Sequence, residues 1–200
     1  MAAGRKLEFD KQASLEKAMR IFWENGYSAT SLSVLIRELG ISKPSLYNTF
    51  GNKDSLFTMC FQHYVKEYSM PRYELLRTSP SLPLEERIRM YLYALIDLYT
   101  KGDTPKGCFY VKCLAEAQGP FFPEELSNIL LATHKSYCQS MIIFFEEEIG
   151  SNTLSSQADT ELLADCLITT GLGIAVQARS NKSPKSLRKV ADVSISNLPI

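Results

Sequence analysis

The amino-acid sequence predicts an all-α fold of about nine helices, a three-helix helix-turn-helix domain at the N-terminus followed by a larger helical body. Apolar residues recur at spacings of three and four along nearly the whole chain, and no stretch alternates in the two-residue rhythm of a strand. Glycine, proline and polar capping residues divide the periodic segments at intervals that suit short helices.

Leu15, Ala18, Met19, Phe22 and Trp23 share one face of a first helix, which Gly26 ends. Thr30 and Ser31 cap a short second helix carrying Leu32, Leu35, Ile36 and Leu39, stopped by Gly40. Ser42 caps a third over 43–50, with Pro44 in its first turn, where a missing N–H costs nothing. Gly51-Asn52 breaks the chain, and a longer helix follows from 53 to about 76. Beyond Pro80 and Pro83, helical spacing resumes from Leu84 to about Lys101. A short helix over 107–118, a long one over 123–149 and two more over 158–179 and 184–197 complete the chain. The domain division expected is 1–52 for the helix-turn-helix unit, connected through helix 53–76, and 53–200 for the body.

Composition narrows the function classes. The chain is 45% hydrophobic and 22% charged, as in ordinary globular proteins. No run reaches the ~18–20 apolar residues of a membrane span, and the polar N-terminus has no apolar signal core behind it. A cytoplasmic protein without a membrane partner is expected. Five cysteines with no CxxC pair read as free thiols, and two histidines leave a Cys/His zinc site short of ligands. No metal or cofactor is therefore expected. Paired carboxylates, a phosphate loop and a nucleophile elbow are all missing, which argues against an enzyme; Glu146-Glu147-Glu148 reads as a solvated turn near a helix end. Net charge is zero, but nine basic against six acidic residues leave +3 over residues 1–66 and −3 on the remainder. A basic lobe on an acidic body suits docking on DNA through one end.

The third helix carries the chemistry. Leu46 and Phe50, four residues apart, can face inward; Lys43, Ser45, Tyr47, Asn48 and Thr49 cannot all be buried beside them. Hydroxyls, an amide and an ammonium on one short helix match what base edges and phosphates of the major groove accept. Singly, Tyr47 and Phe50 fit equally as core aromatics, and Ser31 and Ser42 as plain caps. An interaction adaptor built on the same motif without DNA binding is the alternative.

Phe22, Gly26-Tyr27, Thr30-Ser31, Leu39-Gly40-Ile41-Ser42-Lys43, Leu46-Tyr47, Phe50 and Lys53 together resemble the tetracycline-repressor (TetR) family. The resemblance implies a homodimeric transcriptional repressor on a palindromic double-stranded operator, released by a small-molecule effector. It places Ser42, Lys43, Ser45 and Asn48 near base edges or phosphates, Tyr47 on the backbone, and Lys53 on a phosphate at the start of the fourth helix. Ser31 and Ser33 fall near phosphate at the start of the second. Thr49 stands where many relatives carry histidine, and Pro44 where a glycine or small residue is frequent. In the family, effector binding shifts the fourth helix and so the separation of two recognition helices set about 34–36 Å apart.

For the body, Phe57, Phe61, Tyr64, Tyr91, Cys108, Phe109, Tyr110, Tyr137, Met141 and Phe144 offer walls for a small, mostly apolar ligand, or else a plain core. His134 and Glu116 are the polar candidates. Cys108, at a helix start with Lys106 and Lys112 nearby, reads either as a reactive, electrophile- or redox-sensing thiol or as a small residue for close packing. Leu163, Leu167, Gly171, Ile174 and Ala178, with Leu187, Val190, Ala191, Ser194 and Leu198, form two stripes expected to build a four-helix dimer interface.

Overall fold

The Asp10 carboxylate accepts from the backbone N–H groups of Gln12 and Ala13 and so starts helix α1 (Lys11–Asn25). The computed structural model describes residues 10–200, so Arg5, Lys6 and Glu8 of the charge count lie outside the described residues. α2 (Leu32–Leu39) and α3 (Lys43–Phe50) start on the Ser31 and Ser42 hydroxyls, and Gly40 ends α2 in the left-handed conformation. Leu35 from α2 and Leu46 and Phe50 from α3 enter the core, which fixes the outward face of α3.

The fourth helix departs from the single regular rod that its periodicity predicts. It begins as Lys53–Tyr64, passes through a π-helical turn at Val65–Ser69, and ends in two short α-helical turns, Met70–Tyr73 and Leu75–Thr78. We label the whole α4. The cause is Pro71, which has no N–H to donate and whose ring crowds the carbonyl four residues back; the wider turn relieves both. α5 (Leu84–Thr100), α6 (Phe109–Glu116), α7 (Glu124–Gly150), α8 (Thr160–Arg179) and α9 (Pro184–Ser196) follow, giving nine helices and no strand among the described residues.

Aromatic packing runs without interruption from the N-terminal unit into the body. The Phe57 ring of α4 lies 5.2 Å from Phe22 and 5.1 Å from Tyr27 of the N-terminal unit, and 5.9 Å from both Phe109 and Phe122 of the body. The first half of α4 thus serves both units. α5 lies among α4, α8 and α9, and α8 packs also on α7. α8 is long and apolar enough to cross a membrane by length and mean hydropathy (1.3 over its best window), although polar residues interrupt it; here 44% of that window is buried against its neighbours.

Glu148 corrects the reading of 146–148 as a solvated turn. Its carboxylate is buried and accepts two guanidinium hydrogen bonds from Arg87. Burial pushes this carboxyl up, but the hydrogen bonds from Arg87 and Thr153 outweigh it and hold the group below its ordinary range.

Candidate functional site

Ser31, Ser33, Ser42, Lys43, Tyr47 and Asn48 are exposed, while Ser45 and Thr49 are half-buried. Tyr47 is 42% exposed although aromatic, because α3 spends its inward positions on Leu46 and Phe50. The Lys43 ammonium stands 6.0 Å from the Tyr47 ring, so the cation and the phenol share one face. Ser31 and Ser42 accept from Val34 and Ser45 N–H at 3.3 Å, and both residues stay exposed; the Ser31 hydroxyl also shares a 2.8 Å hydrogen bond with that of Ser33. Lys53 differs from the others. It is half-buried, its ammonium 3.8 Å from the Tyr27 ring, and burial lowers its pKa against the pull of Asp54 and Glu116.

Within the body, α4, α5, α6, α7 and α8 line a partly open cavity of about 480 Å³. Of the residues expected to wall a pocket, Tyr91, Cys108, Tyr110 and Tyr137 line it. Phe57, Phe61, Tyr64, Met141 and Phe144 do not; at 0–2% exposure they are packed core, as is Phe109. Ser69, Tyr73 and Tyr99 line the cavity without a sequence expectation attached, and Gly171, expected at a dimer interface, lines it as well. Tyr91, Leu95 and Tyr99 fall at four-residue intervals on α5, a stripe that was open to reading. The π-turn of α4 contributes Val65 and Ser69, so the irregular backbone faces the cavity.

The phenols are already paired within the protein. Tyr91 and Tyr137 share a hydrogen bond of 2.7 Å, Tyr110 meets His134 Nδ1 at 2.7 Å, and Tyr73 donates to the Ser140 carbonyl at 2.7 Å. Burial pushes the pKa of Tyr91, Tyr99, Tyr110 and Tyr137 well up, so all four stay neutral. Among the described residues no lysine, arginine or histidine lines the cavity, and the carboxylate that does, Glu74, is exposed.

Cys108 does not meet the conditions for a lowered thiol pKa. Burial pushes it up, and hydrogen bonds from Tyr64, Tyr99 and the start of α6 offset this only in part. The two lysines invoked from sequence are engaged elsewhere: Lys106 donates to Asn181, and Lys112 faces Glu116 at 3.9 Å. Gly107 accounts for the Gly-Cys pair in steric terms. Its φ is +78°, and a Cβ there would stand 2.9 Å from the Ala175 carbonyl oxygen of α8. The polar candidates also sit elsewhere: His134 lies behind Tyr110, and Glu116 reaches out to the turn after α1.

The two C-terminal stripes are corrected as well. Leu163, Leu167, Ile174, Ala178, Leu187 and Ala191 are buried inside the single chain, and Gly171 is in the cavity wall; Ser194 and Leu198 are half-buried. Only Val190 of that set is exposed. Each helix carries apolar residues on its outer face too, Leu162 and Val176 on α8 and Val193 beside Val190 on α9. Two apolar faces on one helix leave orientation undecided from sequence.

A helix-turn-helix unit with a polar outward α3, seated on a helical body that holds an apolar cavity, defines a helix-turn-helix regulatory protein. Residues 15–60 match the profile of bacterial regulatory proteins of the tetR family. The chain is 28% identical over 195 residues to the HTH-type transcriptional repressor ComR of Escherichia coli (strain K12), spanning 96% of this chain and 90% of ComR. It is 33% identical over 121 residues to the uncharacterized HTH-type regulator YezE of Bacillus subtilis (strain 168), covering 60% and 61% of the two chains. In structure it is similar to a cysteine-substituted TetR family regulator, CifR, complexed with 26-bp double-strand operator DNA: TM-score 0.89 at 28% identity, covering 98% of this chain and all of the other. Residues 15–60 thus carry the tetR-type helix-turn-helix, and the chain as a whole is similar to regulators of that family.

Proposed function

We propose that the protein is a cytoplasmic DNA-binding transcriptional repressor that holds a palindromic operator as a homodimer and is released by a small, uncharged, mostly apolar effector. The observation that carries this reading is the outward face of α3, where Lys43, Tyr47 and Asn48 stand exposed while Leu46 and Phe50 anchor the helix. Residues 10–52 form the reading unit and α4 joins it to the body. Ser31, Ser33, Ser42, Ser45, Thr49 and Lys53 surround the reading face; Lys53 has to leave the Tyr27 ring to meet a phosphate. CifR with its bound operator supports the same docking.

The effector site is the cavity. Its tyrosines Tyr73, Tyr91, Tyr110 and Tyr137 are already hydrogen-bonded within the protein, and no cation among the described lining residues neutralises an acid, so the occupant is uncharged and gains affinity chiefly through apolar contact. The dimer forms through the outer faces of α8 and α9, around Leu162, Val176, Val190 and Val193. Fluorescence anisotropy on the DNA upstream of the protein's own gene tests the reading, with sedimentation of a Val176→Arg variant reporting on the dimer. Saturable binding that weakens steeply with salt is expected; salt-insensitive or absent binding contradicts it.

A further inference from the structure

We propose that Glu116 and Arg179 form a two-point clamp that sets the posture of the helix-turn-helix unit on the body and links it to the cavity. The clamp stands on contacts alone; the link rests on reading the cavity as the effector site.

The carboxylate of Glu116, the last residue of α6, accepts from the backbone N–H groups of Tyr27 (2.9 Å) and Ser28 (3.2 Å). Both amides belong to the turn between α1 and α2. The approach is close: a Cβ at Gly26, whose φ is +87°, would lie 1.8 Å from Glu116 Oε1 and push the carboxylate off these amides. Arg179, the last residue of α8, grips the same junction from the other polarity. Its guanidinium donates to the Glu24 carbonyl (2.7 Å) and the Trp23 carbonyl (3.3 Å), acceptors that the end of α1 leaves without helical partners. A third donation, to the Lys106 carbonyl at 3.3 Å, ties Arg179 to the loop that leads into α6.

An anion on free N–H groups and a cation on free C=O groups complement the two sides of one turn. Position does the rest. Tyr110 and Val111, near the start of α6, wall the cavity, and Glu116 lies less than the helix's length of about 12 Å further on. A short helix moves as one piece, so displacement of its cavity end carries the carboxylate with it. The contacts are also releasable. Arg179 is exposed and the Glu116 side chain retains 23% of its exposure, so the clamp can open without unfolding the core.

Hydrogen exchange on the full-length protein tests this, read on peptides over residues 26–30 with α5 as internal reference. Glu116→Ala is expected to speed exchange at Tyr27 and Ser28 by about tenfold or more while α5 is unchanged. Glu116→Gln, which keeps one acceptor oxygen, falls between the two, and Arg179→Gln loosens the end of α1. Exchange within about twofold of wild type in both Glu116 variants overturns the clamp. The link is tested with the uncharged fluorophore N-phenyl-1-naphthylamine. Its occupancy, read by fluorescence gain, is expected to alter exchange at 26–30 in wild type and not in Glu116→Ala. Dye that binds wild type with no change at 26–30 overturns the link. Absence of any fluorescence gain counts instead against the cavity reading, and the clamp is then decided by the dye-free exchange.

Discussion

α3 and α6 are each eight residues long and sit in the same molecule, yet their side chains are disposed in opposite ways. α3 sends Leu46 and Phe50 inward and leaves lysine, tyrosine and asparagine exposed to solvent. α6 buries Phe109, Tyr110 and Cys113, turns its phenol toward a histidine, and ends on a carboxylate that grips a neighbouring turn. A surface made to receive a partner keeps its polar groups open. A surface made to surround an apolar ligand closes them on one another, because an unpaired buried polar group costs about 1–3 kcal/mol.

The sharpest way to break this contrast is to truncate one side chain from each helix. Phe109→Ala is expected to destabilise the protein by about 3–5 kcal/mol in urea unfolding, since Phe109 is fully buried among Phe57, Phe61 and Tyr64. Tyr47→Ala is expected to leave stability within about 0.5 kcal/mol of wild type and to act on DNA affinity instead. Equal stability losses in the two variants would remove the distinction.

Lys43→Ala comes next. With its phosphate contact gone, the slope of log affinity against log salt falls by about one, with no change in folding. Ser42→Ala should be milder and mixed: a lost cap costs about 1 kcal/mol of stability, together with weaker DNA binding. Calorimetry and anisotropy on one sample separate the two.

The smallest effect concerns pH and the seam between α1 and α4. Glu16 accepts from Tyr68 at 2.6 Å, Arg20 at 2.8 Å and His63 at 2.9 Å. Burial pushes its carboxyl up, but these hydrogen bonds outweigh it and hold the native value below the ordinary one. A carboxylate depressed in this way contributes stability that is complete above its unfolded pKa of about 4.3 and is lost as pH falls below that. Acid unfolding followed by circular dichroism should therefore lose part of its dependence in this range in Glu16→Gln.

The same contrast explains what could be read in the sequence. The reading helix was legible because eight residues offer few inward positions, so Lys43, Tyr47 and Asn48 had nowhere to go but solvent. Helix limits were legible from their punctuation, Ser31, Gly40, Ser42 and Gly51 above all. The cavity was only half legible: Tyr91 and Tyr137 line it and Phe61 and Tyr64 do not, yet all four carry aromatic rings at helical spacing. The stripe from Leu163 to Ala178 was placed outward, because α8 is apolar on both sides. Pairings between distant residues left no trace. Arg87 with Glu148 and Glu116 with Tyr27 join positions far apart in the chain, and nothing local marks the partner. Pro71, like the Tyr91–Leu95–Tyr99 stripe, is a local signal in the sequence, and it accounts for the π-turn beside the cavity.

The central claim is that α3 reads DNA, and one titration tests it most directly. Full-length wild type and the Lys43→Ala/Tyr47→Ala double variant are titrated onto the labelled upstream fragment across a range of salt. Wild type is expected to bind tightly with a steep salt dependence, and the double variant to lose that binding while melting like wild type. Unchanged binding by the double variant would contradict it.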